Sequence, residues 1–492
     1  MAHPAPTPAE LGTDDELPEG WVAATLPEVF RLNPPKAKGA DYRDDLPVTF
    51  VPMPAVDALT GTIRAPTVRD FGAVKKGFTS FRDGDVILAK ITPCMENGKA
   101  AVVGGMLNGL GFGSTEFHVF RPTGAVLAEY LFHFLRQESF RRNAADEMTG
   151  SVGQKRVPAE FLAGVELPVP PLAEQRRIVA AVGRVLDKVS SARARLDRVP
   201  TTMKRFRQAV LAAACAGRLT ADWRAEVGYS GSLDGDELPH LWQVKQLRDV
   251  VVGLHQGWSP KCDIEASADG HEWGVIKTTA IQHMQFLECE NKRLPPNLIP
   301  RRELELIEGD VLITRAGPRV RAGVACLVRK ARKRLILCDK AYRFRANSTE
   351  IEAEFLELLL NAPALLEKIE AMKTGISDSG VNLTQHKFLA LPLPLPPLAE
   401  QHEIVRRVSA LFAHADAIEA RTAAARKRVD ALTQAVLAKA FRGELVPTEA
   451  ESARRDNRPY EPAADLLARL RASAGPVTKV TRGRKPKGSA TP

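Results

Sequence analysis

Paired cysteines and long apolar runs are both missing from this chain of 492 residues. Its six cysteines are scattered without a CxxC motif, which argues against a disulfide framework and against a zinc ribbon. No apolar run approaches the ~20 residues that a membrane-spanning helix needs. The polar, proline-rich start MAHPAPTPAELGTDDELPEG is unlike a signal peptide. We therefore expect a cytoplasmic protein with no membrane partner.

Signatures of catalysis are equally scarce. The sequence contains no GxxxxGK[ST], HExxH or GxSxG motif, and its ten histidines show no ligand spacing. Asn33-Pro34-Pro35-Lys36 resembles the Asn/Asp-Pro-Pro-aromatic motif of adenine-N6 methyltransferases. A lysine here replaces the aromatic residue that stacks on a flipped base, and no glycine-bearing strand–turn–helix precedes the motif. We predict no catalytic residue, no metal site and no cofactor in this chain.

Positive charge, by contrast, is in surplus. The chain has 69 Lys and Arg against 59 Asp and Glu, which gives a net charge of +10 and a pI of about 9.3. Such a surplus favours a polyanionic partner such as double-stranded DNA, although many basic proteins bind none. The basic stretch Thr481–Lys487 near the end is predicted to be a flexible, solvated tail. The alternative is an arm that binds a DNA minor groove.

One segment occurs twice. Pro170–Gln175, with the sequence PPLAEQ, recurs 226 residues later as Pro396–Gln401. Each copy is followed by an apolar 4-3-4-3 pattern, the period that keeps one stripe of a helix facing a partner helix. The predicted seam contains Ile178, Val182, Val185, Val189, Leu196, Val199, Met203, Phe206 and Val210 after the first copy, and Ile404, Val408, Leu411, Ile418, Val429, Leu432 and Val436 after the second.

These two patterns predict two long helices of matched length that pair as an antiparallel coiled coil. A proline pair opens each helix, and Gly217 or Gly443 lies at its end. At about 1.5 Å per residue, such helices would form a rod on the order of 60 Å long, with one domain at each end and a pseudo-twofold internal repeat. The alternative is that each helix packs on its own neighbouring domain. Pro200 predicts a kink in the first helix, where the second helix has Arg426.

The repeat extends into the region before each helix. Leu17–Trp21 matches Leu238–Trp242, and Gly84–Leu88 matches Gly309–Ile313. Runs rich in β-formers cluster in each region instead of alternating strictly with helices, so we predict an α+β fold with two mixed α/β domains. The predicted boundaries are a disordered N-terminus at 1–16, globular domains at 17–169 and 227–395, helical segments at 170–226 and 396–446, and a basic C-terminal tail at 447–492.

Polar and basic residues in the predicted loops and strand edges are candidates for DNA contacts. Arg and Lys pair with guanine, Gln and Asn pair with adenine, and basic side chains also bind phosphates. The candidates are Lys90, Thr92, Asn97, Lys99, Gln154, Lys155 and Arg156 in the first domain, and Gln256, Lys277, Thr278, Arg315, Arg319, Arg321, Asn382, Gln385, His386 and Lys387 in the second. The alternative for each is an ordinary surface residue. Arg315–Arg321, with its Gly317-Pro318 turn, is the densest cluster and the first candidate.

Taken together, these features are similar to one known family. PLPPLAEQ, then a heptad helix, then QAVLAKAFRGELVP, with QAVLAAACAGRL in the first copy, closely resembles the specificity subunit of type I restriction–modification systems. The resemblance covers nearly the whole chain. It implies a non-catalytic subunit with two target recognition domains, each reading one half of an asymmetric bipartite DNA site, and two spacer helices.

The same resemblance implies the partners. The spacer helices would set the spacing of the half-sites and dock two methyltransferase subunits, and two restriction subunits would complete the assembly. S-adenosylmethionine, ATP and magnesium would belong to those subunits. Two other classes remain open: a stand-alone methyltransferase, which would bind S-adenosylmethionine without partners, and a scaffold coiled coil, which would show no salt-dependent affinity for DNA.

Overall fold

A computed structural model describes residues 17–36, 42–151, 153–229, 238–267, 269–375 and 378–473. The chain divides into two compact units. The first unit comprises Met1–Arg195 together with Ala425–Pro492, and the second comprises Leu196–Ala424. The disorder predicted for residues 1–16 and the flexibility predicted for the basic end concern residues outside those described.

Two four-stranded sheets form the framework of the first unit. One is antiparallel throughout, and the other contains one parallel pair at its centre. In spatial order the antiparallel sheet consists of Phe30–Leu32, Phe117–Pro122, Val86–Ala89 and Ala100–Val102, and the mixed sheet of Thr67–Asp70, Pro47–Val51, Leu110–Gly113 and Thr79–Arg82. A ribbon pairs Val22–Thr25 with Glu166–Val169. The helices before the first long helix are Leu26–Val29, Phe71–Val74, Ala128–Leu135, Glu138–Asp146 and Ala159–Gly164.

The second unit also contains an antiparallel four-stranded sheet, together with a separate three-stranded sheet. In spatial order the larger sheet consists of Val251–Gln256, Ala341–Ala346, Val311–Thr314 and Ala325–Leu327, and the smaller of Asn291–Arg293, Gly274–Ile276 and Leu335–Ile336. Three two-stranded ribbons pair Gln243–Gln246 with Pro392–Leu395, Ile281–Gln282 with Gln285–Phe286, and Ala316–Gly317 with Val381–Asn382. The shorter helices are Ala221–Glu226, Leu247–Val250, Ala353–Asn361, Pro363–Met372 and Gln385–Leu389. The predicted α+β class is confirmed.

The apolar run after each repeated Gly-Asp pair forms an interior strand of an antiparallel sheet. This strand is Val86–Ala89 in the first unit and Val311–Thr314 in the second. In the first unit, Val86 and Leu88 enter the core that contains helix Ala128–Leu135, whereas Ile87 and Ala89 enter the core beneath the mixed sheet. Successive side chains of a strand point to opposite faces, so a strand covered on both faces has to be apolar at every position. Val311–Thr314 is buried in the same way in the second unit.

The two long helices are matched in extent but differ in continuity. The second runs unbroken from Leu398 to Phe441 over 44 residues. The first is divided into Leu172–Leu196 and Val199–Cys215. The break lies just before Pro200, whose ring has no N–H to donate and is tolerated only in a first helical turn. The predicted kink is therefore confirmed.

Within the first unit, the paired segments run in opposite directions. Ile178 and Val182, near the start of the first long helix, share a core with Val436 near the end of the second. Further along, Arg193 forms an ion pair with Asp430. Residue numbers therefore rise along one helix as they fall along the other, as an antiparallel pair requires.

The second unit has its own stretch of the same pairing. Val210 shares a core with Ile404 and Val408. The Arg207 guanidinium lies 2.6 Å from Asp416 Oδ1 and 2.9 Å from Glu419 Oε2. The antiparallel coiled coil predicted from the heptads is present in both units.

Burial along the predicted seam is uneven. Seven seam residues are buried, namely Ile178, Val182, Val189, Val210, Ile404, Val408 and Val436. Seven are half-buried, namely Val185, Leu196, Val199, Met203, Phe206, Leu411 and Val429. Ile418 and Leu432 are 42% and 47% exposed, so the prediction that the facing helix buries them is wrong for the chain alone. Nearly all of the buried members belong to cores that also contain domain side chains, whereas a two-helix pair by itself covers only one side of each residue.

The repeated PPLAEQ motif joins the first long helix to its domain. Glu174 and Gln175 are fully buried. Gln175 Nε2 donates to Ala125 O at 3.0 Å, and its Oε1 accepts from Leu127 N at 2.9 Å. Glu174 Oε1 accepts from Trp21 Nε1 at 3.0 Å. The motif therefore satisfies backbone groups that would otherwise be buried without partners.

The second copy makes the same bonds in the second unit. Gln401 Nε2 donates to Glu350 O at 3.0 Å, and its Oε1 accepts from Glu352 N at 2.8 Å. Glu400 Oε2 accepts from Trp242 Nε1 at 2.9 Å. The repeat in sequence is thus a repeat of one hydrogen-bonded joint.

Beyond the second long helix, the described chain remains folded. Two short helices follow, Glu449–Arg455 and Ala463–Ser473. Ala463 and Leu467 enter the main core of the first unit. The part of the predicted tail up to residue 473 is therefore packed on that unit. Across the described ranges, no helix is both long and apolar enough to span a membrane.

Candidate nucleic-acid interface

The candidate residues are concentrated around one loop in each unit and the segment beside it. We name residues 90–99 loop 1 and residues 149–151 and 153–157 flank 1, both in the first unit. The corresponding segments of the second unit are loop 2, residues 315–324, and flank 2, residues 374–375 and 378–387. Loop 1 directly follows the buried strand Val86–Ala89, and loop 2 directly follows the buried strand Val311–Thr314.

Loop 1 and flank 1 are joined by backbone hydrogen bonds. Thr92 N donates to Lys155 O at 3.0 Å, and Val157 N donates to Lys90 O at 2.9 Å. Flank 1 is itself closed by the bond from Arg156 N to Thr149 O at 2.8 Å. The structure therefore brings together the two groups of candidates that lie far apart in the sequence of this unit.

The candidate side chains of the first unit differ in their freedom to meet a ligand. Asn97, Gln154 and Lys155 are exposed. Lys99 Nζ instead donates to Met53 O at 3.0 Å. The exposed amides and ammonium are the groups that could reach DNA without first breaking an internal bond.

Lys90, Thr92 and Arg156 lie half-buried at the base of loop 1. Thr92 Oγ1 lies 3.4 Å from Met148 Sδ. The Arg156 guanidinium binds Glu116 through two bonds of 2.8 and 2.9 Å. This guanidinium lowers the pKa of the Glu116 carboxyl, so the pair is charged at neutral pH and anchors flank 1 to the sheet.

Loop 2 and flank 2 are joined more extensively. Ala316–Gly317 and Val381–Asn382 form an antiparallel ribbon, and Leu383 N donates to Arg315 O at 2.7 Å. Arg319 N adds a bond of 2.9 Å to Asp378 O. The basic cluster and the later polar cluster of the second unit are thus neighbours, although their sequence positions do not indicate it.

The guanidiniums of Arg319 and Arg321 have internal partners. Arg319 binds Glu370 Oε1 at 2.7 Å and Asp378 Oδ1 at 2.9 Å. Arg321 donates to Thr278 O at 2.6 Å and to Gln282 Oε1 at 3.1 Å. Their contact with DNA stays a prediction, but both side chains are already engaged in shaping loop 2.

Arg315 is held at the base of the same loop. Its Nε donates to Asp339 O at 2.9 Å, and its guanidinium lies 5.6 Å from the centre of the Tyr342 ring. Gln256 is exposed opposite Tyr342 at the edge of the sheet. Lys277 Nζ lies 3.7 Å from Glu290 Oε2. These candidates border loop 2 from the sheet side.

The exposed polar candidates of the second unit lie on flank 2. Gln385, His386 and Lys387 are all exposed on the short helix Gln385–Leu389, while Phe388 is fully buried and fixes that helix. Asn382 is also exposed, in the ribbon with loop 2. A cation, an imidazole and two amides therefore face solvent beside loop 2.

Sequence reasoning missed the carboxylates that position these loops. Glu116, Glu370 and Asp378 each bind a candidate arginine. A hydrogen bond from Lys373, and a weaker effect of the hydrogen bond from Arg319, lower the pKa of the Glu370 carboxyl. Each of the three carboxylates lies 40 or more residues from the arginine that it binds, so no local spacing in the sequence could have identified these pairs.

Loop 1 and loop 2 are built alike. Asn97 N donates to Pro93 O at 3.0 Å, and Ala322 N donates to Pro318 O at 3.1 Å. Both loops then contain a glycine with positive φ. That of Gly323 is +85°, and a Cβ there would lie 2.7 Å from Ile369 Cγ2, so this turn requires glycine. The two units thus carry the same loop with different side chains.

Asn33, the residue that suggested a methyltransferase motif, has a structural role. Its side chain accepts from Val119 N at 3.0 Å and lies 3.1 Å from His118 Nδ1. The residue adopts a φ of 46°, which asparagine tolerates better than most residues. Its amide holds the end of one strand against its neighbour, so it has no free amide group to offer a base.

Two α+β units, each with polar loops at the end of a sheet strand and each followed by a long helix, define a class of proteins with a duplicated domain. The model of the type I restriction modification DNA specificity domain matches residues 18–200 and 239–425. The chain belongs to this family. The two matched regions each contain a globular domain and most of the helix that follows it.

Curated relatives agree along most of their length. The chain is 32% identical to the type I restriction enzyme EcoEI specificity subunit of Escherichia coli, over 86% of this chain and 83% of that protein. It is 30% identical to the EcoKI specificity subunit of E. coli strain K12, over 87% and 90%. One solved structure, described as addressing complex assembly and conformational transition of the type I R-M system, has a similar fold. It has a TM-score of 0.66 and 24% identity over 87% of this chain and 99% of the other.

Proposed function

We propose that this chain is the DNA-reading subunit of a type I restriction–modification complex. Each unit would read one half of an asymmetric bipartite site through its loop and flank. The observation that carries the proposal is the pair of equivalent loops, held by equivalent backbone bonds but bearing unlike side chains. Equal frameworks would dock on DNA in the same way, and unlike loops would read different bases.

The assembly that this role requires contains two methyltransferase subunits and two restriction subunits. We propose that S-adenosylmethionine, ATP and magnesium bind in those subunits and that this chain supplies no catalytic group. The spacer helices would set the separation of the half-sites and dock the methyltransferases. DNA between the half-sites would be spanned without being read.

A domain exchange tests the assignment of one unit to one half-site. Residues 242–388 are replaced by the corresponding segment of another specificity subunit, and the complete complex is expressed in a host whose methylome is then sequenced. We expect one half-site to change and the other to persist, because loop 2 and flank 2 both lie in the exchanged segment. The reciprocal exchange of residues 21–161 is the matched control and should change the other half only.

Three outcomes would contradict the proposal. A change in both halves would show that the units do not read independently. Binding of S-adenosylmethionine by the isolated chain would instead favour a methyltransferase, and DNA affinity that is neither salt-dependent nor sequence-dependent would favour a scaffold.

A further inference from the structure

Loop 2 presents an aliphatic side chain to solvent at its tip. Val320 lies between two arginines and is 84% exposed. Scattered exposed apolar residues are common on protein surfaces and need no explanation by themselves. What separates Val320 from such residues is the number of buried or charged contacts that hold its loop in one conformation.

On the C-terminal side of Val320, Arg321 turns inward. Its guanidinium donates to Thr278 O, Ile281 O and Gln282 Oε1 at 2.6 to 3.1 Å. Its backbone N–H donates to Pro318 O at 2.8 Å. Three bonds to one guanidinium fix the backbone from which the valine projects.

On the N-terminal side, Arg319 is fixed in a similar way. Its guanidinium bridges Glu370 and Asp378, its N–H binds Asp378 O, and its carbonyl accepts from Lys373 Nζ at 2.9 Å. Because both neighbours are held, Val320 has little freedom left to lose on binding, and ordering costs of that kind otherwise oppose affinity.

The first unit presents a different tip. Loop 1 contains Met95 at the position that corresponds to Val320, and this methionine is fully buried in the core. Glu96 and Asn97 are exposed instead. The same framework therefore offers an amide and a carboxylate in one unit and a lone aliphatic group in the other.

We propose that Val320 contacts the 5-methyl group of a thymine in the half-site read by the second unit. The inference rests on the proposed function and assigns a base contact within it. A valine side chain can neither donate nor accept a hydrogen bond, and the thymine methyl is the apolar group that a base pair exposes in the major groove. Lys387 and His386 on flank 2 would bind the adjacent phosphates.

The test is a double-mutant cycle on the complete complex with its mapped target. Each thymine of the second half-site is replaced in turn by deoxyuridine, which lacks only the methyl group. For the unmodified protein we expect Kd to rise about fourfold at one position, the effect of losing one buried methyl. For Val320→Ala we expect weaker binding to the thymine site and no further loss with deoxyuridine, because the contact is already gone.

Ile299→Ala is the matched control, since Ile299 is an equally exposed aliphatic residue of the same unit. That variant should keep the full response to deoxyuridine. Deoxyuridine in the first half-site should affect Val320→Ala and the unmodified protein alike. The inference is overturned if no deoxyuridine in the second half-site weakens the unmodified protein, or if Val320→Ala keeps the response. Either result would leave the domain exchange intact, so failure of this contact is distinguishable from failure of the proposed function.

Discussion

At the scale of single residues, the two copies of the buried glutamate differ in how their charge is compensated. Glu400 accepts from Thr220 Oγ1 at 2.6 Å and forms a buried ion pair with Arg224. Glu174 accepts from Trp21 Nε1 and from Glu449 N at 2.7 Å. Burial raises the pKa of the Glu174 carboxyl from 4.5 to about 7, because desolvation disfavours the charged form.

This difference predicts a pH dependence of stability. With its pKa raised in the fold, Glu174 retains a proton that the unfolded chain has released between pH 4.5 and 7, so its contribution to stability is present below pH 4.5 and is lost as pH rises through 7. We expect Glu174→Gln to remove this part of the pH dependence. Denaturant midpoints of both proteins at pH 5 and pH 8 measure it.

The matched variant for that measurement is Glu400→Gln. It leaves the Arg224 guanidinium buried without its ion partner, so we expect destabilisation at both pH values, on the order of 3 kcal/mol. An identical midpoint difference between pH 5 and pH 8 in the unmodified protein and in Glu174→Gln would show that Glu174 does not titrate in this range.

At the scale of elements, the paired helices leave part of their own seam uncovered. Ile418 in the second unit and Leu432 in the first are exposed although the heptad pattern assigns them to the seam. A long helix with apolar side chains outside its own pairing is suited to packing against further helices. In a specificity subunit, the methyltransferases are the expected partners.

We therefore expect Ile418→Asp and Leu432→Asp each to weaken assembly with the methyltransferase subunits about tenfold, since a charge replaces an aliphatic group worth roughly 1.5–3 kcal/mol on burial. Titration of the purified subunits measures the affinity. Val68→Asp, at an exposed aliphatic residue on an edge strand of the first unit, is the control and should assemble normally. Normal assembly of both seam variants would exclude these positions from the interface.

At the scale of the whole molecule, a DNA site of fixed length requires a fixed distance between the two recognition domains. The second long helix is continuous over 44 residues, and its residues belong to both compact units. An α-helix rises about 1.5 Å per residue, so its length is a defined quantity that evolution or engineering can change in steps.

Insertion of four residues near Ala192, with four more near Asp430, which lies opposite in the facing helix, adds about one turn to each helix and nearly preserves the apolar stripe. We expect the unread spacer of the DNA target to lengthen by about two base pairs, from a rise of about 6 Å against about 3.4 Å per base pair. Methylome sequencing of a host carrying the variant complex reads this directly. A spacer of unchanged length would show that the helices do not set the distance.

Periodic and repeated features were readable from the chain alone because they are local. The heptads predicted two antiparallel helices, Pro200 predicted the break, and the matched blocks predicted two α+β domains. Contacts between residues distant in sequence were not readable. The pairing of Arg319 with Glu370 and Asp378 depends on how the loop, the helix and the flank meet, and no spacing encodes it.

Folding also decided which side chains remain available. Ile418 and Leu432 fit the stripe but lie exposed, because burial depends on how many layers surround a residue and not on its heptad position. Arg321 was a candidate for DNA by its charge, yet it is bonded within the unit, whereas its neighbour Val320 is presented to solvent. Composition and period establish which residues can pack or carry charge, but only the packed chain settles which of them are already used, since each partner has to be brought within about 3 Å.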